Sequence, residues 1–483
     1  MLKVLKTCWR GLDFLRRLTL NLVFLLILGA IVFAFFYEKP VSVPNNAVLL
    51  VTLSGQVVEE DDFDGQGTFS SMVDGSDSLT RLRDVTRALA LAADDKRIAA
   101  VHFRVQDLQK AGLASLREIG AAMDRVKAAG KKITVWSTGY SQIQYAVAAH
   151  ANEVFVHPMG GVMLKGLSGT RLYWGSALKE LGVTVHVYRA GEYKSAPEVF
   201  VRSAPSKESL EADRFWMKDI WWQYTASIES SRGLMPGIVD KVISTYPDLL
   251  EKAQGDMSRV ALDQSLIDSV HTADEVIDIL RTRMGWKSAT EEKLLDYRLY
   301  LEAAETVPSG KRIAVVTIEG EIKDGGDGPG MTGERDAVQR IRAVRESPDY
   351  AALVVRIDSP GGSPVASELI RRELELVKKA GKPVVASFGD YAASGGYWVA
   401  LGADTIVTDP MSITGSIGVF GMMPTFENAI SRLSLGRCCD VAIGRCHESA
   451  QVRDARVRKD DGTVGGTHLS RFHFIGRQGP QDG

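Results

Sequence analysis

An internal repeat constrains this chain more than any other feature of its sequence. The segment RIAAVHFRV at 97–105 returns as YAALVVRID at 350–358, and DRVKAAGKKITVWSTG at 124–139 returns as ELVKKAGKPVVASFG at 375–389. The period is about 250 residues, whereas solenoid repeats have periods of about 20 to 50 residues. The sequence therefore predicts two copies of a folded domain, each with its own core.

Each copy alternates short strand-like apolar runs with helical patterns, as in the apolar spacing of 370–377. The order β-α-β-α is typical of a parallel sheet covered by helices, so the predicted fold class is α/β. We place the first copy at 46–205 and the second at 312–433. The segment 206–311, rich in Trp, Leu, Lys and Glu, is predicted to be a helical arm that joins them.

Composition and charge exclude several classes of protein. The chain has 483 residues, of which 45% are apolar and 24% charged, which is typical of globular domains and not of disordered chains. Its 58 basic and 60 acidic residues give a net charge of −2, so no global basic field favours nucleic acid as a partner. Four cysteines are too few for a disulfide framework at this length.

The N-terminal region is predicted to be a membrane anchor. Residues 18–37, LTLNLVFLLILGAIVFAFFY, would span about one hydrocarbon thickness as a helix. Residues 1–17 carry five basic side chains against one acidic, so the positive-inside rule places them in the cytoplasm and the body outside it. A cleaved signal peptide is the alternative, but the apolar run is long and 34–37 lacks small cleavage-site residues.

Two motifs distinguish the second copy from the first. It contains D-S-P-G-G at 358–362 and Y-A-A-S-G-G-Y at 391–397, each where a strand meets a turn. When the two copies are aligned, Gly361 and Gly362 fall opposite Gln109 and Lys110 of the first copy. If these residues only shaped turns, both copies would need them. The asymmetry favours a task performed once per chain.

These motifs suit acyl chemistry. Ser394 at a helix start could attack an acyl carbon while the amides of Gly362 and Gly395 hold the developing oxyanion. A serine at this position is more often a helix N-cap, and P-G-G is more often only a turn.

None of the eight histidines lies in a recognisable triad setting, but a lysine that is held neutral can serve as the base instead. Lys194 is the candidate, since apolar neighbours could lower its pKa from about 10.4 to about 7 or 8 by burial. Taken alone, its sequence context is more typical of a surface lysine.

Four motifs in order carry a family resemblance: G-E-Y-K-S-A at 191–196, D-S-P-G-G at 358–362, Y-A-A-S-G-G-Y at 391–397 and T-G-S-I-G-V at 414–419. With the anchor and the repeat, they closely resemble the signal peptide peptidase A (protease IV) family in its long, two-repeat bacterial form. The resemblance extends to about Leu433.

The resemblance implies a Clp-protease/crotonase-like α/β fold and a serine peptidase that degrades cleaved signal peptides. Position by position, Ser394 matches the nucleophile and Lys194 the general base. Ser416 matches the serine that orients this lysine, and Gly362 and Gly395 match the oxyanion donors. No metal or cofactor is implied.

The resemblance also implies partners and a location. Partners would be signal peptides and other apolar peptides, membrane lipid through residues 18–37, and further copies of the chain in a homotetramer. The expected location is the bacterial inner membrane, crossed once, with the N-terminus cytoplasmic and the body periplasmic.

The tail at 434–483 departs from the family pattern, and we interpret it as a frameshift or truncation whose effect on activity the sequence leaves open. Cys438, Cys439, Cys446 and His447 could be read as zinc ligands, but adjacent cysteines are poorly spaced for a tetrahedral site. Two rival functions also stay open: a non-catalytic, membrane-tethered scaffold that keeps the fold, and a crotonase-type acyl-CoA enzyme, which the extracytoplasmic placement disfavours.

Overall fold

Two parallel β-sheets with the same strand order form the body of the protein in this computed structural model. The structure describes Trp9, Phe14 and residues 16–29, 42–60, 79–288, 291–304 and 310–433.

In chain order the strands are β1 (Ala47–Val58), β2 (Leu79–Arg81), β3 (Ile98–Lys110), β4 (Lys132–Ser137), β5 (Glu153–Val156), β6 (Thr184–Ala190), β7 (Ser269–Val270), β8 (Leu294–Asp296), β9 (Arg312–Lys323), β10 (Met331–Gly333), β11 (Tyr350–Gly362), β12 (Val384–Ala393), β13 (Thr405–Val407), β14 (Ile413–Gly415) and β15 (Val419–Thr425). The helices of the body are α1 (Leu82–Asp94), α2 (Leu113–Ala128), α3 (Gln142–Ala148), α4 (Gly175–Glu180), α5 (Lys207–Arg232), α6 (Ile238–Lys252), α7 (Met257–Asp263), α8 (Ala273–Met284), α9 (Tyr297–Ala304), α10 (Glu334–Glu346), α11 (Pro364–Lys379), α12 (Gly395–Ala400) and α13 (Glu427–Arg432), and Ala196–Phe200 forms a 3-10 helix.

The duplication is visible in the topology. The first sheet has the order β2-β1-β3-β4-β5-β7 with β8 beside β1, and the second has the order β10-β9-β11-β12-β13 with β14 beside β12. All pairs within these two sheets are parallel. Equivalent elements also match in length, since β3 and β11 have 13 residues each and α2 and α11 have 16. The predicted parallel α/β class is confirmed.

Each sheet has its own apolar core. In the first domain, Leu49 and Phe103 from the strands pack with Ile119 from α2, all fully buried. In the second, Ile370 and Leu374 on α11 are fully buried against its sheet, as their helical spacing predicts. Two separate cores of this kind are what a duplicated chain requires.

The segment 206–311 differs from the predicted arm. Tyr224 and Ile228 on α5 and Tyr297 and Tyr300 on α9 belong to the first core, while β7 and β8 extend the first sheet. The first domain therefore continues beyond the predicted boundary at 205. Helical periodicity shows that a helix has an apolar face but not which core receives it, and strands of two or three residues leave no readable pattern.

Two sequence predictions fall partly or wholly outside the described residues. The predicted anchor at 18–37 is described only as far as residue 29, where residues 16–29 are helical. Among the helices that the structure describes, none is long and apolar enough to cross a membrane. The tail at 434–483, with Cys438, Cys439, Cys446 and His447, lies wholly outside the described part.

Buried polar contacts join the two domains beside the strand ends. Arg356 on β11 donates to Glu59 at 2.6 Å and to Glu118 on α2 at 3.1 Å. Asp390 on β12 accepts from the amide and the hydroxyl of Ser115 at 2.9 and 2.6 Å. Near them, burial raises the pKa of Asp358 to about 7, and the charge of Asp390 adds to the effect.

Replacing Asp358 with Asn should stabilise the protein by about 2.5 kcal/mol more at pH 8 than at pH 5. Because the folded pKa lies above the ordinary value, the native state keeps a proton that the unfolded state releases, so the unfolding free energy falls as pH rises to about 7. Asn stays neutral and can still accept from the Tyr391 amide, which lies 2.8 Å from Asp358 Oδ1. Urea unfolding at pH 5 and 8 measures the effect.

The control is D349N, because Asp349 is exposed. It should leave the change in unfolding free energy between pH 5 and pH 8 the same as in the wild type. An equal effect of D358N at pH 5 and pH 8 would contradict the proposed cost of ionising Asp358.

Candidate active site

A two-stranded antiparallel ribbon connects the two domains. Strand β6 of the first domain pairs with β15 of the second, from Ala190 opposite Val419 to Thr184 opposite Thr425. A Cβ on Gly418, whose φ is +138°, would lie 2.2 Å from the Ala190 carbonyl oxygen, so only glycine fits this crossing. The ribbon brings the residues that follow β6 to the end of β12 in the second sheet.

Lys194 follows that ribbon and meets two serines of the second domain. Its Nζ lies 2.8 Å from Ser394 Oγ, although the two residues are 200 positions apart. It also donates to the carbonyl oxygen of Ser416 at 2.8 Å and to the Ser416 hydroxyl at 3.0 Å. The structure thus brings together the three side chains singled out for proton transfer.

The Lys194 side chain is enclosed, with only 4% of the residue exposed. Burial disfavours the charged ammonium and lowers the pKa of Lys194 to about 8. Relative to its ordinary value, this corresponds to a cost of about 3 kcal/mol for keeping the ammonium in the site. At pH 7 about one Lys194 in ten is therefore a neutral amine, against under about one in a thousand for a lysine with the ordinary pKa.

Ser394 occupies a strained backbone position between β12 and α12. Its φ is +50° and its ψ is −113°, a conformation that non-glycine residues rarely adopt. Such strain costs about 1 to 3 kcal/mol and persists where surrounding bonds enforce it. Here the Ser394 amide donates to Gly415 O at 2.9 Å and its carbonyl accepts from the Trp398 amide at 2.9 Å. The turn directs Oγ toward Lys194 instead of toward the first amides of the helix, as an N-cap would.

The predicted glycines lie against this serine. A Cβ on Gly361 would be 2.5 Å from the Gly395 amide nitrogen and 2.8 Å from Ser394 Cβ. A Cβ on Gly395 would lie 3.0 Å from the Gly362 amide nitrogen. Glycine allows these two backbone segments to approach each other beside Ser394.

Ser359 supports this arrangement and was missed at the sequence level. It is fully buried, its hydroxyl donates to Gly320 O at 2.6 Å and accepts from the Gly361 amide at 3.1 Å. These bonds hold the end of β11 at a shift in strand register. Its position inside D-S-P-G-G was the only available signal.

The first domain also contains a serine, a histidine and an aspartate in contact, as in a Ser-His-Asp triad, but their surroundings do not suit acyl transfer. His150 Nδ1 lies 3.2 Å from Asp124 Oδ2, and its Nε2 lies 3.2 Å from Ser227 Oγ. Ser227 lies within α5, where backbone amides donate to carbonyls of the preceding turn and are not available to an oxyanion. We assign these contacts to helix packing.

Comparison with known proteins identifies the family. The profile of Peptidase family S49 matches residues 125–287 and 377–437. Protease 4 of Salmonella typhi is 35% identical over 439 residues, covering 89% of this chain and 71% of that protein. The chain belongs to Peptidase family S49. Protease 4 of Haemophilus influenzae is 34% identical over 454 residues, covering 90% of this chain and 72% of that protein. The chloroplastic serine protease SPPA of Arabidopsis thaliana is 30% identical over 396 residues, covering 80% and 55%.

This S49 peptidase is a serine peptidase, and the resemblance drawn from its motifs is confirmed. The matched ranges include Lys194, Ser394, Gly395 and Ser416, whereas Gly362 lies between them. Across the described residues there is no group of three His, Cys, Asp or Glu side chains placed to hold a metal ion.

Replacing Gly418 with Ala in this S49 peptidase should lower peptide hydrolysis at least about tenfold, because a Cβ there would separate β15 from β6 and displace Lys194. Steady-state hydrolysis of a fluorogenic apolar peptide measures the effect. G421A, three residues further along and inside β15, is the matched control, since a Cβ at Gly421 meets nothing within 4 Å. Equal activities of G418A and G421A would show that the ribbon does not place the lysine.

Proposed function

We propose that this S49 peptidase cleaves peptides through a Ser394–Lys194 dyad and an acyl-enzyme. The observation that carries the proposal is the 2.8 Å separation between Lys194 Nζ and Ser394 Oγ inside a site that favours the neutral amine. A neutral amine has two N–H donors and one lone pair. The carbonyl and hydroxyl of Ser416 can accept the two N–H bonds, which leaves the lone pair for the Ser394 hydroxyl.

The proposed reaction consists of acylation of Ser394 followed by hydrolysis of the acyl-enzyme. Lys194 removes the Ser394 proton as Oγ bonds to the scissile carbonyl carbon, and the resulting oxyanion faces the Gly362 and Gly395 amides. Collapse breaks the C–N bond, and the Lys194 ammonium returns its proton to the leaving amine. Water then attacks the ester carbonyl carbon as Lys194 takes its proton, and collapse breaks the C–Oγ bond as the Lys194 ammonium returns that proton to Ser394 Oγ, releasing the acid.

We propose apolar peptides, and cleaved signal peptides in particular, as the substrates. Support comes from the motif resemblance and from exposed apolar side chains beside the site, namely Tyr391 before the nucleophile and Phe420 and Met422 on β15. An extended peptide can bind such a surface through side-chain contacts at alternate positions. A homotetramer follows from the same resemblance and belongs to the proposal.

Residues 18–37 are proposed to anchor the peptidase in the inner membrane, with the N-terminus cytoplasmic and the body periplasmic. The apolar run and its basic flank support this. In a cell fractionation experiment, a chain beginning at residue 42 should leave the membrane fraction while the full chain resists carbonate extraction. Equal membrane retention of the two would overturn the proposed anchor.

Replacing Ser394 or Lys194 with Ala should each lower kcat/KM at least about a thousandfold, because the nucleophile and its base act as one unit. K179A removes an exposed lysine and should match the wild type. Equal residual activity in wild type, S394A and K194A would contradict the dyad and favour the scaffold alternative.

The same assay should show how activity depends on the protonation of Lys194. The base must be neutral, so kcat/KM of the wild type should rise about tenfold per pH unit below the lysine pKa of about 8 and level off above it. An activity independent of pH between 6 and 9 would exclude Lys194 as the base.

A further inference from the structure

The catalytic lysine lies in a turn that is otherwise exposed. Tyr193 is 51% exposed, whereas the adjacent Lys194 is 4% exposed. Because the ammonium is better solvated in water than in the site, a loose turn would let Lys194 leave the second domain. Contacts that hold this turn in place therefore also determine where the Lys194 amine lies.

Two charged side chains that flank the lysine in sequence meet behind it. Arg189, the next-to-last residue of β6, donates through Nη1 to the Lys194 carbonyl oxygen at 3.3 Å and to Glu198 Oε1 at 3.1 Å. Glu198 Oε2 accepts from the Ser206 amide at 3.0 Å. Ser206 is the N-cap of α5, so these bonds tie the turn to a 26-residue helix.

Glu198 is suited to act as a fixed anion in this network. It is only 4% exposed, and burial alone would favour its neutral form. Its bonds from Ser206 and Arg189 outweigh that effect and keep the pKa of Glu198 below its usual value. Arg189 also lies opposite Phe420 in the ribbon, so the network begins where the domains join.

We propose that Arg189 and Glu198 are positioning residues that clamp the Lys194 turn and thereby hold the amine against Ser394. This inference rests on the proposed function of Lys194 as the base. Neither residue contacts the reacting atoms. Both act through the backbone of the turn, with Arg189 as the link between the Lys194 carbonyl and the Glu198 carboxylate.

The test compares R189M and E198Q in the full-length chain by two measurements. Hydrogen exchange with mass spectrometry reports how well the amides of residues 191–195 are protected. The rate at which a fluorophosphonate phosphonylates Ser394, with loss of fluoride, reports activation of the nucleophile between pH 6 and 10.

We expect at least about tenfold faster amide exchange in the turn, slower phosphonylation, and a higher midpoint of the pH profile in both variants, since a released lysine regains water. Comparing the two variants distinguishes loss of the clamp from a direct effect of the removed charge on the pKa of Lys194. Loss of a nearby cation would raise the lysine pKa and loss of a nearby anion would lower it, whereas a broken clamp raises it in both cases. Opposite shifts, or unchanged exchange, overturn the proposal.

E373Q is the matched control, because Glu373 is an equally buried carboxylate paired with Arg345 in the second domain. It should change neither the exchange of residues 191–195 nor the pH midpoint. If E373Q behaves like E198Q, the effect is general destabilisation and the clamp is rejected. If K194A is phosphonylated as fast as the wild type, the proposed role of Lys194 as the base is wrong. Hydrogen exchange of residues 191–195 in R189M and E198Q still tests the clamp independently.

Discussion

The pairing of β6 with β15 is the constraint on which the rest of the site depends. Each domain folds around its own core, but Lys194 and Ser394, the proposed base and nucleophile, belong to different domains. The antiparallel ribbon fixes one domain on the other to the precision of backbone hydrogen bonds, which is the scale that proton transfer between Nζ and Oγ requires. The part-buried contacts of Arg356 with Glu59 and Glu118 add a second point of attachment.

Much of this architecture could be predicted from the sequence because its signals are periodic or repeated. Alternation of strands and helices gave the parallel α/β class, and comparison of one copy with the other separated the motifs around Gly362 and Ser394 from ordinary turns. Lys194 was the weaker case. Its exposed neighbours, Glu192 and Tyr193, are typical of a surface loop, and its burial depends on side chains from the other domain.

The features that could not be predicted join positions far apart in the chain. Strand β15 contains Pro424 and exposed apolar residues, so its pattern does not indicate a partner about 230 residues earlier. The contribution of 206–311 to the first core was hidden because an apolar helix face is compatible with any neighbouring core. Arg189 and Glu198 look like charges around a surface turn until the bonds to the Lys194 carbonyl and the Ser206 amide are seen.

The division of the dyad between two domains has a consequence for biosynthesis. A growing chain is made from its N-terminus, so the lysine emerges 200 residues before the serine it would activate. Until the later domain has folded and docked, the earlier one holds an amine without a nucleophile. Under the proposed mechanism, such a chain could not cut its own unfinished copy, and hydrolysis would begin only once the two domains have joined.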